Sequence, residues 1–336
     1  MLINSSKTLF LLTLIIGTLI TVSSDNWLGV WMGLEINLIS FVPLISKTNY
    51  TSSSEAMMVY FLTQALGSAT LLMMIIIDNM SMISTLEMNT YIKTVMVAST
   101  MLKSGLAPFH FWFPEVANKL TWTNCMILMT WQKIAPLTIM SHLIENLNII
   151  YIVAMMSTTI GAIGGLNQTS LRKIMAYSSI SHLGWIIACM KMDNNMWMIY
   201  LLIYSMVVIM VMMIFNYSSM YYLPQINMNM MTMTEKLLYV TLFMSLGGLP
   251  PFLGFLPKWL VIQSLMMNSM YMILTIMVLT TLITLFYYLR MISTLLIVNT
   301  AMPKWNLNQK IPNHKLILMV IMINLSTPLI AILPMF

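Results

Sequence analysis

Long apolar runs alternate with short polar connections from one end of the chain to the other. Most of the runs approach the roughly 20 residues that an α-helix needs to cross about 30 Å of hydrocarbon. The pattern therefore predicts eleven membrane-spanning helices. They cover residues 8–22, 27–46, 57–77, 91–111, 123–143, 149–167, 174–190, 196–216, 236–266, 270–290 and 315–335.

The first and the ninth predicted spans differ from the others. The first is short, and we expect its helix to begin a few residues before position 8. The ninth is long and contains the interruption Gly247-Gly248-Leu249-Pro250-Pro251. Even the longest connections, 217–235 and 291–314, leave no room for a soluble domain. We therefore predict an all-α polytopic membrane protein with a single transmembrane domain over residues 1–336.

The composition supports a lipid environment for most of the chain. Of the 336 residues, 59% are hydrophobic and 7% are charged, whereas soluble domains carry about a quarter charged residues. So few charges cannot cover a water-facing surface of this size. The basic residues behind the net charge of +6 are dispersed and are not interleaved with aromatic residues, which argues against nucleic-acid binding.

The positions of the basic residues predict the orientation of the chain. With eleven spans, the N-terminal side receives the N-terminus and every second loop, and with them ten of the fifteen Lys and Arg residues. The ten are Lys7, Lys47, Lys119, Arg172, Lys173, Lys236, Arg290, Lys304, Lys310 and Lys315. By the positive-inside rule this is the positive side of the membrane, which in a mitochondrial inner membrane is the matrix side. An odd number of spans then places the C-terminus on the intermembrane-space side.

A ten-residue motif occurs twice, once in the fourth and once in the ninth predicted span. Gly105–Pro114 and Gly248–Pro257 share the pattern G-L-x-P-F-x-x-x-x-P, with no gap inside the match. Because the copies lie five spans apart, they cross the membrane in opposite directions. This predicts two inverted five-helix, antiporter-like repeats over about residues 1–145 and 146–290, followed by a C-terminal helix at about 315–335. The alternative is a coincidence between two Gly/Pro-rich apolar segments.

Glycine and proline within both copies predict that these two helices are broken. Proline removes a backbone donor and interrupts a helix. The expected break positions are Gly105, Pro108, Gly248, Pro250 and Pro251. Broken helices at matching places in inverted repeats point to an ion pathway.

Ionisable side chains inside the predicted spans are the candidate chemistry. Glu35 lies about 12 Å from the start of its span and Lys133 about 15 Å from either end of its own. An unpaired charge at that depth costs at least a few kcal/mol, so each group pairs, titrates or meets water. A structural ion pair is the alternative to a titrating role. Lys103 precedes the first break, and we expect Glu35 and Lys103 to form a pair in which the carboxylate stabilises the charged lysine.

Lys258, His110 and His182 are further candidates with stronger structural alternatives. Lys258 follows the second break beside Trp259, and a lysine that extends to the headgroups is the competing interpretation. The histidines titrate near neutrality and suit a proton relay, but each is equally well explained as a hydrogen-bonded core group. Three serines beside His182 are suited to hold water: Ser178, Ser179 and Ser181.

Sequence signals for a cofactor or a metal are missing. The chain has no G-x-G-x-x-G motif, no P-loop and no cysteine cluster for an iron–sulfur centre. Its two cysteines, Cys125 and Cys189, lie alone in apolar segments. We therefore predict that the chain binds no metal and no cofactor and has no redox centre of its own.

Five segments together carry a family resemblance. They are Trp31–Asn37, Leu102–Glu115, Trp131–Pro136, Leu171–Gly184 and Gly247–Trp259. On these motifs the chain resembles the subunit 2 family of mitochondrial NADH:ubiquinone oxidoreductase, respiratory complex I, in its shortened, insect-like animal form. The resemblance extends from near residue 1 to the C-terminus.

The resemblance implies an antiporter-like, proton-pumping subunit of the membrane arm. It implies proton-path roles for six side chains: Glu35, Lys103, Lys133, Lys258, His110 and His182. NADH, FMN, iron–sulfur clusters and ubiquinone then belong to other subunits, where quinone reduction drives the protons. The expected partners are neighbouring antiporter-like subunits and lipids.

Two other functions stay open on the sequence. A self-standing cation/proton antiporter has the same fold. A non-conducting structural subunit of the same complex also fits, if the buried charges only hold helices together.

Overall fold

The computed structural model consists of helices joined by turns. It describes residues 5–46, 51–80, 86–144, 149–192, 196–228, 233–297, 320–322 and 324–325. Within these ranges the only extended pairing is an isolated bridge between Ser170 and Tyr222. The predicted all-α class is therefore confirmed for the described part of the chain.

The chain divides into two compact units, Met1–Ile150 and Tyr151–Phe336. The first unit contains α1 (Ser5–Ser23), α2 (Trp27–Ile45), α3 (Thr51–Met80), α4 (Leu86–Ser104), α5 (Trp112–Lys119), α6 (Trp122–Met129), a 3-10 turn (Trp131–Lys133) and α7 (Ile134–Leu143). The first helix begins before residue 8, as the short first span predicts.

The second unit begins within α8 (Ile149–Leu166). It continues with α9 (Leu171–Met190), α10 (Met196–Ser218), α11 (Leu223–Met228), α12 (Met233–Gly247), α13 (Phe255–Met267) and α14 (Tyr271–Ile297). The predicted C-terminal helix, 315–335, lies mostly outside the described residues. Residues 320–322 and 324 are helical, and the Asn324 carbonyl accepts the Leu253 N–H at 3.2 Å.

Six described helices are long and apolar enough to cross a bilayer: α1, α2, α3, α8, α10 and α14. Their outward faces carry large apolar side chains, such as Leu12 and Leu66, which are 60% and 61% exposed. Exposed apolar surface along whole helices is typical of contact with lipid. The chain is therefore a polytopic α-helical membrane protein.

Close contacts between helices hold the first unit together. A Cβ on Gly17 would lie 2.9 Å from the Asn37 backbone nitrogen, so α1 and α2 touch backbone to backbone. Small residues at such contacts are a common device of membrane helices. Rings from three helices meet edge to face, with Tyr60 5.1 Å from Phe41 and 5.9 Å from Trp112. These contacts bring α2, α3 and α5 together.

The second unit is built around α9. All but three of the twenty residues of this helix are buried, which explains why it needs no apolar outer face. Gly161 on α8 faces the backbone of Tyr177 and Ser181, and Gly184 on α9 faces the Ala154 carbonyl. Close packing of the Gly161–Gly165 segment thus lets α8 lie against α9.

The fifth predicted span, 123–143, is an interrupted helix, which the sequence pattern did not indicate. The α-helical hydrogen bonding gives way to the 3-10 turn Trp131–Lys133 before α7 begins. The cause is Pro136, which has no N–H for the carbonyl four residues earlier and whose ring crowds it. As a result Lys133 stands at a junction between helix types and not in a regular helix.

Candidate functional site

The first helix break lies between Ser104, where α4 ends, and Trp112, where α5 begins. Gly105 has a positive φ of 74°, and the Gly105 and Leu106 N–H groups both donate to the Met101 carbonyl, at 3.0 and 3.1 Å. This is a glycine-terminated helix end of the Schellman type. A Cβ on Gly105 would also lie 3.1 Å from the Phe113 side chain. Glycine is therefore required here for conformation and for space.

The second break repeats this geometry at the same motif positions. Helix α12 ends at Gly247, one residue before the motif begins, and α13 begins at Phe255, the eighth motif position, as α5 does at Trp112. Gly248 has a φ of 75°, and the Leu249 N–H donates to the Met244 carbonyl at 3.2 Å. Both copies of the sequence motif thus end a helix in the same way.

Lys258 folds back onto the helix that precedes its own. Its Nζ donates a hydrogen bond to the Gly247 carbonyl at 2.9 Å, and the residue is 6% exposed. The last carbonyls of a helix carry partial negative charge, which favours a cation. A Cβ on Gly248 would lie 2.8 Å from Nζ. The lysine therefore uses the space that glycine leaves, and its side chain is buried within the protein.

Lys103 and Lys133 line one pocket of the first unit. The pocket has a volume of about 20 Å³, and roughly 10–15 Å³ is enough for one water molecule. Lys103 is 5% exposed and Lys133 is 2% exposed. The polar side chains that line the pocket are Asn37, Tyr60, Gln64, Lys103, Ser104, Gln132 and Lys133.

Hydrogen bonds between the elements hold the shape of this pocket. Gln132 Nε2 donates to Asn37 Oδ1 at 2.9 Å and so ties the 3-10 turn to α2. Gln64 Nε2 donates to the Lys103 carbonyl at 3.0 Å, and Trp112 Nε1 donates to the Leu102 carbonyl at 3.1 Å. The carbonyls at the end of α4 therefore receive neutral donors.

The sequence interpretation missed five of the polar residues in this pocket. Asn37, Ser104 and Gln132 lie inside the quoted motifs but are not charged and were not chosen. Tyr60 and Gln64 lie four residues apart on α3 and so share one helix face. A pair of polar residues at that spacing in an otherwise apolar span was the available signal.

Glu35 acts on Lys103 through space. The carboxylate is partly buried on α2, and its charge affects Lys103. No hydrogen bond or ion pair within 4.0 Å joins these two described residues. The two side chains of the expected pair are therefore close enough to interact electrostatically but make no direct contact. Lys133 lies 5.5 Å from the centre of the Phe113 ring, within the range of a cation–π interaction.

The two histidines occupy different surroundings. His110 lies within the first break, 7% exposed, with Nδ1 3.3 Å from the Pro108 carbonyl. His182 lies on α9 with Nδ1 2.9 Å from the Tyr200 hydroxyl. A pocket of about 10 Å³ joins His182 to the second break, because Gly254 and, at the start of α13, Pro257 also line it. The structure thus places His182 beside the segment that carries Lys258.

The described residues give no sign of a metal centre. No three His, Cys, Asp or Glu side chains cluster within the described ranges. Cys125 and Cys189 are both buried, and no disulfide joins them within the described ranges. The chemistry available at the site is therefore that of lysine, glutamate, histidine and hydroxyl groups.

Cations buried beside broken helices, in a polytopic helical membrane protein, define a transporter-like class. The sequence profile of the family described as "NADH:quinone oxidoreductase/Mrp antiporter, TM" matches residues 24–284. "NADH-ubiquinone oxidoreductase chain 2" of Anopheles gambiae is 49% identical over 321 residues, which is 93% of either chain. The Locusta migratoria protein of the same name is 46% identical over 288 residues, 85% of this chain and 84% of its own.

The chain belongs to the NADH:quinone oxidoreductase/Mrp antiporter family and, within it, to the NADH-ubiquinone oxidoreductase chain 2 proteins. The resemblance inferred from the five motifs is confirmed. Its insect-like character agrees with the two insect relatives.

Solved structures share the fold at low sequence identity. Respiratory complex I from Thermus thermophilus with bound aureothin contains a chain that matches with a TM-score of 0.86 and 20% identity, over 98% of this chain and 79% of that one. The Mrp complex from Dietzia sp. matches with a TM-score of 0.74 and 15% identity, over 90% of this chain and 62% of that one. At such identities the likeness concerns the fold alone.

Proposed function

We propose that this chain translocates protons across the mitochondrial inner membrane as a membrane-arm subunit of respiratory complex I. Family membership supports the assignment to that complex. The observation that carries the proton path is the pocket that brings Lys103 and Lys133 together, with the Glu35 charge acting on Lys103. Titratable groups buried at membrane depth usually serve such paths.

The topology belongs to the same proposal. The chain crosses the membrane eleven times, in two inverted five-helix repeats over about residues 1–145 and 146–290. The shared closure of the two breaks, at matching motif positions, supports this arrangement. The N-terminus faces the matrix and the C-terminus faces the intermembrane space, on the distribution of basic residues.

In the first unit, Lys103 binds and releases the proton. Attraction to Glu35 favours the charged form of Lys103, and burial of Lys103 opposes it. A change of charge near Glu35 therefore shifts the balance and displaces the proton. Water in the pocket carries it the short distance to Lys133, since the pocket walls supply polar partners.

The second unit contains the later part of the path. Lys258 rests on the Gly247 carbonyl, and His182 lies in the adjoining pocket. His110 serves as a connecting group within the first break. Quinone reduction in other subunits supplies the free energy, and each exported proton works against about 2.3 kcal/mol per 100 mV. This chain holds no cofactor, and its partners are neighbouring antiporter-like subunits and lipids.

Two variants test the assignment in the assembled complex. Lys133→Met and Glu35→Gln remove charge with little change of volume, and both should lower the protons pumped per NADH oxidised. Lys119→Met is the matched control, because Lys119 pairs with Glu55 at the surface, at 2.7 Å. Unchanged pumping in both test variants would leave a structural subunit as the better description. Exchange of Na⁺ for H⁺ by the purified chain in liposomes would instead favour a self-standing antiporter.

A further inference from the structure

Gln132 lies inside the interruption of the fifth predicted span, next to a lysine of the site. It is the middle residue of the 3-10 turn Trp131–Lys133. Pro136 has no N–H to offer the Gln132 carbonyl, which lies four residues before it. The Lys133 N–H reaches the Thr130 carbonyl at 3.4 Å, beyond the range of about 2.7–3.2 Å that is usual for N–H···O bonds. Backbone hydrogen bonds therefore hold this turn less firmly than a regular helix.

The Gln132 side chain connects the turn to two other helices. Its Nε2 donates to Asn37 Oδ1 on α2 at 2.9 Å. Its Oε1 accepts a long hydrogen bond from the Tyr60 hydroxyl on α3, at 3.5 Å. Asn37 and Tyr60 are each 3% exposed, and hydrogen bonds are stronger where water is excluded. The bond to Asn37 is the shorter one and is therefore the main connection.

The direction of the Lys133 side chain depends on the rotation of this turn about its axis. A 3-10 helix has about three residues per turn, so successive side chains point about 120° apart. Gln132 is bonded to α2, and Lys133, the next residue, then lines the pocket of the first unit. A rotation of the turn that breaks the bond from Gln132 would therefore also move the lysine.

The two helices that hold the turn also act on the other lysine of the pocket. Asn37 lies two residues after Glu35 on α2, and the charge of that glutamate affects Lys103. Tyr60 lies four residues before Gln64 on α3, and Gln64 donates to the Lys103 carbonyl at 3.0 Å. Neutral side chains of α2 and α3 thus fix both lysine-bearing segments around one pocket.

We propose that Gln132 is a positioning residue for Lys133. Its hydrogen bond to Asn37 sets the rotation of the 3-10 turn and so holds the lysine at the pocket that Lys103 also lines. Gln132 takes up no proton itself, because its side chain is a neutral amide. The effect of Gln132 on proton pumping rests on the proposed function, whereas its effect on the position of the lysine does not.

A density map of the assembled complex with Gln132→Leu tests the positioning. Leucine has a similar size and removes both hydrogen bonds. We expect the turn to rotate and Lys133 Nζ to move by about 1 Å or more, a displacement large enough to disturb a transfer between positioned groups. A lysine that keeps its place in the variant would overturn the proposal.

Gln132→Leu should also slow proton pumping. We expect the rate per assembled complex to fall roughly two- to tenfold, which corresponds to the net contribution of one hydrogen bond. Asn124→Leu is the matched control, because Asn124 ties α6 to α2 through its amide, to the Leu44 carbonyl at 2.7 Å, away from the residues that line the pocket. The control should lower the melting temperature and keep the pumping rate per assembled complex near normal. Equal losses of pumping rate in both variants would refute a positioning role.

An exchange of the two amide side chains tests the bond itself. Asn37→Gln and Gln132→Asn each change the reach of one partner, and each alone should slow pumping. The double variant restores the summed length, so its pumping rate should exceed that of either single variant, a non-additivity that marks direct interaction. Additive losses would contradict the proposal. All three variants keep both amides, so they remain informative if leucine prevents assembly.

These measurements separate the inference from the proposed function. If Lys133→Met abolishes pumping while Gln132→Leu pumps normally, the proposed function stands and Gln132 has no positioning role. If Lys133→Met also pumps normally, the proposed function is wrong, and the density map alone decides whether Gln132 positions the lysine.

Discussion

The two helix breaks have the same backbone conformation but differ in the side chains that donate hydrogen bonds to the last carbonyls of the helix. In both, the helix ends at a glycine with positive φ, Gly105 in the first copy of the motif and Gly248 in the second. At the first break, neutral side chains of Gln64 and Trp112 donate to the last carbonyls of α4. At the second break, the Lys258 ammonium donates to the last carbonyl of α12.

The difference follows from where the lysine stands in the chain. Lys103 comes before its break, within the last turn of α4, and its side chain lines the pocket with Lys133. Lys258 comes after its break, in the first turn of α13, and reaches back to the preceding helix. Lys103 thus lines a polar pocket, whereas Lys258 is bound to the end of the preceding helix.

This contrast indicates how one motif supports two roles. A lysine beside a water-sized pocket and a carboxylate is suited to exchange its proton. A lysine that donates to a helix carbonyl is held in position by that hydrogen bond.

The largest effect is expected from Gly248→Ala. The substitution places a Cβ at φ 75° and within 2.8 Å of Lys258 Nζ. Backbone strain of this kind costs about 1–3 kcal/mol, and displacement of the lysine adds to it. We expect much less assembled complex and a loss of proton pumping in what assembles, measured by native gel and by acidification assays.

Gly247→Ala is the control for that substitution. A Cβ on Gly247 would lie 3.7 Å from the Tyr288 ring, an ordinary contact, and alanine favours a helix more than glycine does. Assembly and pumping should stay near normal. Gly105→Ala sharpens the comparison, because it strains the first break without moving a lysine. If Gly105→Ala impairs assembly but the complex that does assemble still pumps protons, Gly105 is needed for folding, whereas Gly248 is also needed for the position of Lys258.

The sequence predicted the breaks because backbone conformation at glycine and proline is a local property. The repeated motif identified Gly105 and Gly248, and the helices end one residue before each. Burial of Lys133 also followed from its depth in a span. These features depend on residues close together in the chain.

The sequence did not predict the partners of the lysines, which come from distant helices. Gln64 reaches the Lys103 carbonyl from 39 residues away. The 3-10 turn that ends at Lys133 depends on Pro136, whose effect falls four residues upstream. Whether the expected pair of Glu35 and Lys103 makes direct contact was also beyond the sequence, because residue types alone do not fix a distance between helices.

A smaller effect is expected from Gln64→Leu. The change removes the donor to the Lys103 carbonyl and leaves that group unpaired, which costs about 1–3 kcal/mol. We expect a lower melting temperature of the complex and slower pumping. Thr70→Val on the same helix is the control, because Thr70 is exposed and bonds only its own helix. Equal losses of melting temperature and pumping rate in Gln64→Leu and Thr70→Val would show that the hydrogen bond from Gln64 does not specifically stabilise the first break.

The smallest effect is expected from Glu115→Gln. Glu115 directly follows the first copy of the motif, as Lys258 directly follows the second. It is exposed in the first turn of α5, where a carboxylate contributes only about 0.3–1 kcal/mol through the helix dipole. Protons pumped per NADH should be unchanged, because the first break has its cation on the other side of the glycine. A clear loss of pumping would mean that the matching positions act alike. The difference between Lys103 in its pocket and Lys258 at the end of α12 would then not account for different functions of the two breaks.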